Sequence, residues 1–514
     1  MKSASLLLGA AALSLTVVPL TAASAQSAAE KPGSAYVQCD GQPDNVTDGE
    51  TAARLLGAVT LLGIFAPPHE SADSSKRKFA LDGVAACNSL LSGEKQEGNP
   101  RRRLGLILGR ALHQIEAKDY QKAVDDVALA RHEAEAAGFM ADPYFARSRG
   151  RAFDLIQSAA LIRMGRAEEA RAVSLKHAAI GEYSFVPLLS MPTYSDFLDK
   201  QSPEEERVTA WRARLIPTMA GSRADRFDLA GRFADSARLR DALVEFDAEH
   251  TPEAVSSLLI ARAAVAHALA GNFTLGAERA KAARANVDKR RLEGEPEAGA
   301  SEVVELLDLY AIIDTAHAGD PTTARRLFSA RSQWLGASLG SVIEVNRRLR
   351  EGAAPDELIG GLAKTPETLW KDHVDSTRAE LLAKDKDNKT LFGLAPAERS
   401  AKLYTAVAKN VWRTDKSKII IPTKYEKTKS KLELMLLTLT DPVVAMDAYV
   451  LHAALIAKSR GQQGFVFSPV ISSRIIAASF RTGNRGDKGF PADLFIDADD
   501  VITKLSPLIP QPVR

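Results

Sequence analysis

Two cysteines, 6% aromatic residues and a net charge of +2 are all that this 514-residue chain offers to several common chemistries. Two thiols are too few for a zinc or iron–sulfur centre. So few aromatic rings exclude stacked platforms for sugars or bases as the main function. A charge so near balance supplies no global field for nucleic acid. Past the first twenty residues no apolar run approaches the roughly 18 residues of a membrane span. Catalytic signatures are scarce as well: there is no H-E-x-x-H pair, Walker loop or G-x-G-x-x-G after a strand. The nine histidines are dispersed, with His113, His267, His317 and His452 each alone on a helical stretch, and His132-Glu133 has no second His one turn on. No metal and no cofactor is expected.

What is present begins with an export signal. Met1-Lys2 is basic, Ser5 to Leu20 is apolar, and Ala23-Ser24-Ala25 supplies an A-x-A site, so cleavage is expected before Gln26. The mature chain is expected in a bacterial periplasm. There, Cys39 and Cys87 allow one disulfide, with two buried thiols as the alternative. Residues 26–38 read as polar and mobile, 51–65 as a short apolar helix, and 78–92 as a helix carrying Cys87. The disulfide is expected to staple those two helices into a cap within 26–100.

From residue 101 the chain reads as helix after helix. Turns recur at "AKDYQKAVDDVALA", "MGRAEEARAVSLKHA", "ARLRDALVEFDAE", "AGNFTLGAERAKAA" and "AGDPTTARRLFSAR". Each puts a small residue where a new helix crosses its predecessor: Ala123, Ala170, Ala242, Gly276 and Ala324, spaced 47, 72, 34 and 48 residues apart. This cadence over 101–360 resembles the tetratricopeptide repeat, a 34-residue pair of antiparallel helices. The family's Trp, Gly and Tyr on the first helix are mostly missing, and a generic array of helical hairpins is the alternative. The resemblance implies a curved solenoid with a concave groove. On the first helices Leu108, Leu112, Ile115, Leu155, Ile162, Leu258, Val265, Leu306, Leu309 and Ile313 are either core between helices or the lining of an apolar groove.

Composition shifts near residue 360. Residues 99–350 hold thirty Arg and six Lys, whereas 364–431 hold thirteen Lys and three Arg. A smaller α/β domain is expected over 361–514: a helix at 397–412, a strand at "SKIIIP", and a buried helix opened by Asp441-Pro442 and closed by Gly461. The strands "GFVFSPV" and "RIIAASF" follow, then a terminal strand–helix. The order resembles a small α/β module found at the ends of uncharacterised proteobacterial envelope proteins. Two basic features stand out. "RTGNRGDKGFP" sets Arg481, Arg485 and Lys488 among glycines, as an anion-binding loop would. Residues 413–431 carry a net +5.

The fold class expected is therefore mainly α, a helical-hairpin solenoid with a smaller C-terminal α/β domain. The function expected is a non-catalytic periplasmic scaffold for a protein or peptide of the cell envelope, without nucleic acid and without a transmembrane segment in the mature chain. One alternative is an envelope enzyme with its site in 390–514, where Asp493, Asp497, Asp499 and Asp500 cluster. The other is a structural protein whose groove is filled by its own chain.

Overall fold

Among the described residues, six helices begin in the same way, with a polar cap followed by proline. Asn99-Pro100, Asp142-Pro143, Ser202-Pro203, Asp320-Pro321, Thr365-Pro366 and Asp441-Pro442 each place a side-chain oxygen on a backbone N–H of the first turn. The proline contributes a fixed φ where no intrahelical donor is needed. The computed structural model describes residues 33–44, 72–93, 96–185, 194–252, 255–295, 297–385, 391–411, 413–415, 418–421, 425–427, 432–437, 441–471 and 476–510. The expected signal peptide at 1–25 and apolar helix at 51–65 lie outside these residues.

The protein is mainly helical, with a small sheet near the C-terminus. The disulfide joins Cys39 to Cys87. It ties α1 (Ala35–Asp40) to α2 (Ala80–Leu91), so residues just before Cys39 are an ordered helix capped by Ser34 and not a mobile arm. Both pack on α3 (Pro100–Glu116), whose Gly105 and Gly109 let α1 approach. A Cβ on Gly109 would sit 3.0 Å from Asp40 Cβ and 3.5 Å from the Cys39 sulfur.

Hairpins then follow in succession. The pairs are α3 with α4 (Tyr120–Ala136) and, after the short α5 (Pro143–Arg147), α6 (Gly150–Arg163) with α7 (Ala167–Lys176). Beyond α8 (Pro203–Leu215) come α9 (Thr218–Leu229) with α10 (Phe233–His250), α11 (Ser257–Leu269) with α12 (Phe273–Leu292), and α13 (Ala300–His317) with α14 (Pro321–Ser329). All five hairpin turns have one geometry. Lys118, Gly165, Gly231, Gly271 and Gly319 are left-handed, with φ from 63° to 94°. The following N–H reaches back to the fifth residue before it, as in Asn272 N–H to His267 O at 2.9 Å and Asp320 N–H to Thr315 O at 3.2 Å. This is the Schellman closure, which satisfies the last carbonyls of one helix while turning the chain into the next.

The succession does not run on as an open stack. Helix α15 (Leu339–Arg350) returns to α9, more than a hundred residues earlier, and Ser338 Oγ donates to Asp228 at 2.6 Å. Asp228 also receives the buried guanidinium of Arg240 at 2.5 Å. Helix α16 (Pro366–Lys384) returns further still: Val374 and Leu381 pack with Leu161, Ile162, Tyr194 and Phe197. Although it lies beyond the compositional junction at 360, α16 packs with the helical array.

The sheet-bearing part begins with α17 (Ala401–Val411) and a hairpin of β1 (Arg413–Asp415) and β2 (Lys418–Ile421). A five-stranded antiparallel sheet follows in the order β3-β4-β6-β5-β7. It is made of β3 (Tyr425–Lys427), β4 (Glu433–Leu437), β5 (Gly464–Ile471), β6 (Ile476–Gly483) and β7 (Ile496–Asp497). Its centre is the register of Phe467 against Phe480. The sheet holds α18 (Pro442–Ser459), apolar on every side and buried over most of its length, with α19 (Ala498–Leu505) alongside. One apolar core runs through both parts of the chain, joining Phe185, Trp211 and Leu215 of the array to Tyr449, Phe467, Val501 and Ile509. A second joins Phe227, Leu239 and Phe246 to Val466, Phe490 and Phe495.

Candidate functional site

Four of the five small residues occupy equivalent places, each five positions after a left-handed turn residue: Ala123, Ala170, Gly276 and Ala324. All four are buried. A Cβ on Gly276 would lie 3.3 Å from the Ala264 carbonyl of the preceding helix and 3.0 Å from the ring of Tyr310. Ser158 of α6 donates to the Ala170 carbonyl at 3.2 Å. Ala242 is out of this register. The equivalent of the other four is Ser236, fully buried five residues after Gly231, and Ala242 lines a cleft beside Pro491 and Asp493. The sequence hides this because the third turn carries a serine where the others carry alanine or glycine.

The candidate groove residues are core. Leu108, Leu112, Ile115, Leu155, Ile162, Val265, Leu306, Leu309 and Ile313 are buried, and Leu258 is half-buried against the same cluster as Val265. Their covers come from elsewhere in the chain. Leu108, Leu112 and Ile115 pack with α1, α2 and Leu391, Ile162 packs with α16, and the later positions pack with Val345 and Leu349 of α15.

The glycine-rich loop is docked as well. Gly489 donates its N–H to Glu245 at 2.8 Å, and its carbonyl meets His250 Nε2 at 2.5 Å. Lys488 pairs with Glu249 at 2.7 Å, while Arg481 and Arg485 lie over the rings of Phe490 and Phe495. Expected to hold a foreign anion, the loop is met by carboxylates of α10. Gly483 is explained by packing, since a Cβ there would fall 2.4 Å from the Phe490 ring. The four C-terminal aspartates do not converge. Asp493 pairs with Arg223 and Arg238, Asp497 caps α19, Asp499 pairs with Lys458, and Asp500 with Tyr183 and Lys504. Among the described residues no group of three or more His, Cys, Asp or Glu is placed to hold a metal. Side chains over 413–431 lie outside the described residues.

The feature that sequence reasoning missed is a cavity of about 640 Å³ where α1, α3, α6 and residues 392–398 meet. Four arginines line it: Arg77, Arg101, Arg102 and Arg149. Arg102 is committed, its two terminal nitrogens holding Asp40 at 2.6 and 2.9 Å and one of them also the Gln42 carbonyl at 3.0 Å. Arg101 engages Glu398 and lies over Phe139. Arg77 lies over Phe392, and burial pushes its guanidinium down to about 10. Arg149 differs. Burial lowers its pKa too, and its nearest carboxylate is Glu398 at 4.0 Å, which Arg101 already holds. Phe392, Ala395 and Pro396 give it an apolar side, backed by the buried Leu108 and Leu112. Chemically this is a recess for an anionic group attached to something apolar, because a guanidinium fork beside alkyl surface recognises both at once. The sequence gives one cue, the Gly105-Gly109 spacing on an apolar helix, since glycine permits close backbone approach.

No protein-family model matches this chain, and comparison with curated proteins and with solved structures finds no match.

Proposed function

We propose that this chain is an exported, non-catalytic helical scaffold of tetratricopeptide-like hairpins, and that it holds a protein or peptide partner in the cell envelope. The observation that carries the reading is the arginine-lined cavity at the N-terminal end of the array. It combines charge, apolar surface and a volume within the usual range for ligand sites. The export signal expected at residues 1–25 supports that compartment. The small residues that follow each turn support the hairpin type. Because α15, α16 and the sheet cover the middle of the array, partner binding is assigned to this end and not to a concave face. The same covering favours a second reading, a structural envelope protein whose groove its own chain fills.

The test is capture from envelope extract with the intact mature chain and with Arg149→Gln. A partner held by the first and lost by the second supports the scaffold. Equal capture by both removes the cavity from the reading, and capture by neither leaves the structural protein. A 101–350 fragment is unsuitable, since its apolar faces share a core with residues 404–509.

A further inference from the structure

We propose that the cavity takes a carboxylate borne on an aliphatic stem, the free C-terminus of a polypeptide ending in a residue such as Leu or Val, with Arg149 as its anchor. The inference rests on the binding reading above. Three of the four guanidinium groups are occupied: Arg102 by Asp40, Arg101 by Glu398, and Arg77 against Phe392. Arg149 makes no hydrogen bond among the described residues, and its buried Nε has only the long ion pair to Glu398 at 4.0 Å. Its position is nevertheless fixed. A Cβ on Gly105 would lie 2.8 Å from Arg149 Nη1, so the guanidinium rests on the bare backbone of α3 at the cavity wall.

The charge of the lining selects the anion. Arg77, Arg101, Arg102 and Arg149 stand against Asp40, Asp44 and Glu398, so four positive and three negative groups leave one positive charge. One carboxylate neutralises that excess, whereas a phosphate dianion would leave a negative charge among three carboxylates. A planar guanidinium also matches a carboxylate better than a point-like ammonium does. The stem is selected by Phe392, Ala395 and Pro396, the half-buried apolar residues of the lining. A chain terminus satisfies both demands, because its last side chain and its carboxylate leave the same Cα.

The experiment titrates the full mature chain with a fluorescein-labelled peptide ending Ala-Ala-Leu-Leu as the free acid, as the C-terminal amide, and with isovalerate as competitor. Micromolar binding of the acid, at least tenfold weaker binding of the amide, and equalisation of the two by Arg149→Lys at unchanged thermal midpoint is the expected result. Lys keeps the charge and loses the fork, so that variant separates geometry from field. Equal binding of acid and amide overturns the carboxylate assignment while leaving peptide binding intact. Isovalerate binding as tightly as the peptide overturns the polypeptide source. Binding of neither peptide overturns the proposal and withdraws support from the scaffold reading.

Discussion

Glu245 accepts the backbone N–H of Gly489 at 2.8 Å, a hydrogen bond between a mid-array helix and a loop 244 residues further on. Alongside it the Lys488 ammonium meets Glu249 with most of its surface in water. The two contacts differ in worth. A charge-assisted bond to a half-buried amide is costly to remove, while an exposed ion pair is screened by solvent. Glu245→Ala is expected to lower stability by about 1–2 kcal/mol and to open 484–490 to limited proteolysis. Lys488→Ala is expected to leave the unfolding midpoint unchanged. A midpoint shift for the lysine as large as for the glutamate would contradict this ranking.

The Cys39–Cys87 bridge spans 48 residues, so its reduction relaxes a long loop in the unfolded chain. Loop entropy puts the loss at about 4 kcal/mol. Cys39→Ser with Cys87→Ser should show that loss in denaturant unfolding. It should also weaken whatever the arginine cavity binds, because Asp40 follows Cys39 directly and holds Arg102.

The contribution of Asp447 and Asp247 to stability should fall as pH rises from about 4 to about 6, while His452, pushed down to about 4 by burial, contributes in the opposite direction. Burial pushes Asp447 up to about 6, against the pull of Arg147, the Phe185 N–H and the Tyr404 hydroxyl, and burial alone does the same to Asp247. The native state therefore binds these protons more tightly than the unfolded chain, whose aspartates titrate near 3.8. Their contribution is complete below that value, is lost through about 6, and is flat above. For Asp447 the loss is about 3 kcal/mol. Asp447→Asn should gain on the native protein progressively across this window, in midpoints measured at pH 4, 5, 6 and 7. A constant difference across the window would show that Asp447 titrates normally.

Two glycines should answer alanine with opposite signs. A Cβ on Gly340 would fall 2.2 Å from the Leu229 backbone nitrogen, which cannot yield without moving α9. Gly340→Ala is expected to cost about 3 kcal/mol or more. Gly221, inside α9, has nothing within 4 Å of the same position, so Gly221→Ala should stabilise by up to about 1 kcal/mol. Thermal unfolding of both variants checks the pair.

Much of the local structure could be read in advance, because it depends on neighbours in sequence. Asp441-Pro442 opens α18 and Gly461 ends it, as caps dictate. The turns before Ala123, Ala170, Gly276 and Ala324 announced themselves through glycine and small residues. Ala242 shows where that reasoning stops: one serine in the repeated position, at Ser236, shifted the register by six residues. Whether Leu306 or Val265 faces a groove or a neighbouring helix turns on what lies over it, and the cover is α15, which reaches back across a hundred residues. The strands β3 and β4 escaped notice inside and beside a lysine-rich stretch where charge masks the alternation. The cavity was illegible for a related reason. Arg101 and Arg102 are neighbours in sequence, but Arg77 and Arg149 lie well to either side, and only the fold sets the four around one space.

The hydroxyl of Tyr144 donates to the carbonyl of Leu508 at 2.9 Å, and between them lies nearly three quarters of the chain. The first half of the chain shares its apolar core with residues of the second. Released early, it would present Phe185, Trp211 and Leu215 to water for want of the residues that cover them. Such exposed surface is what chaperones and proteases recognise. A product cut short before α19 would lack Val501, Leu505 and Ile509 over that core and is expected to be recognised in this way.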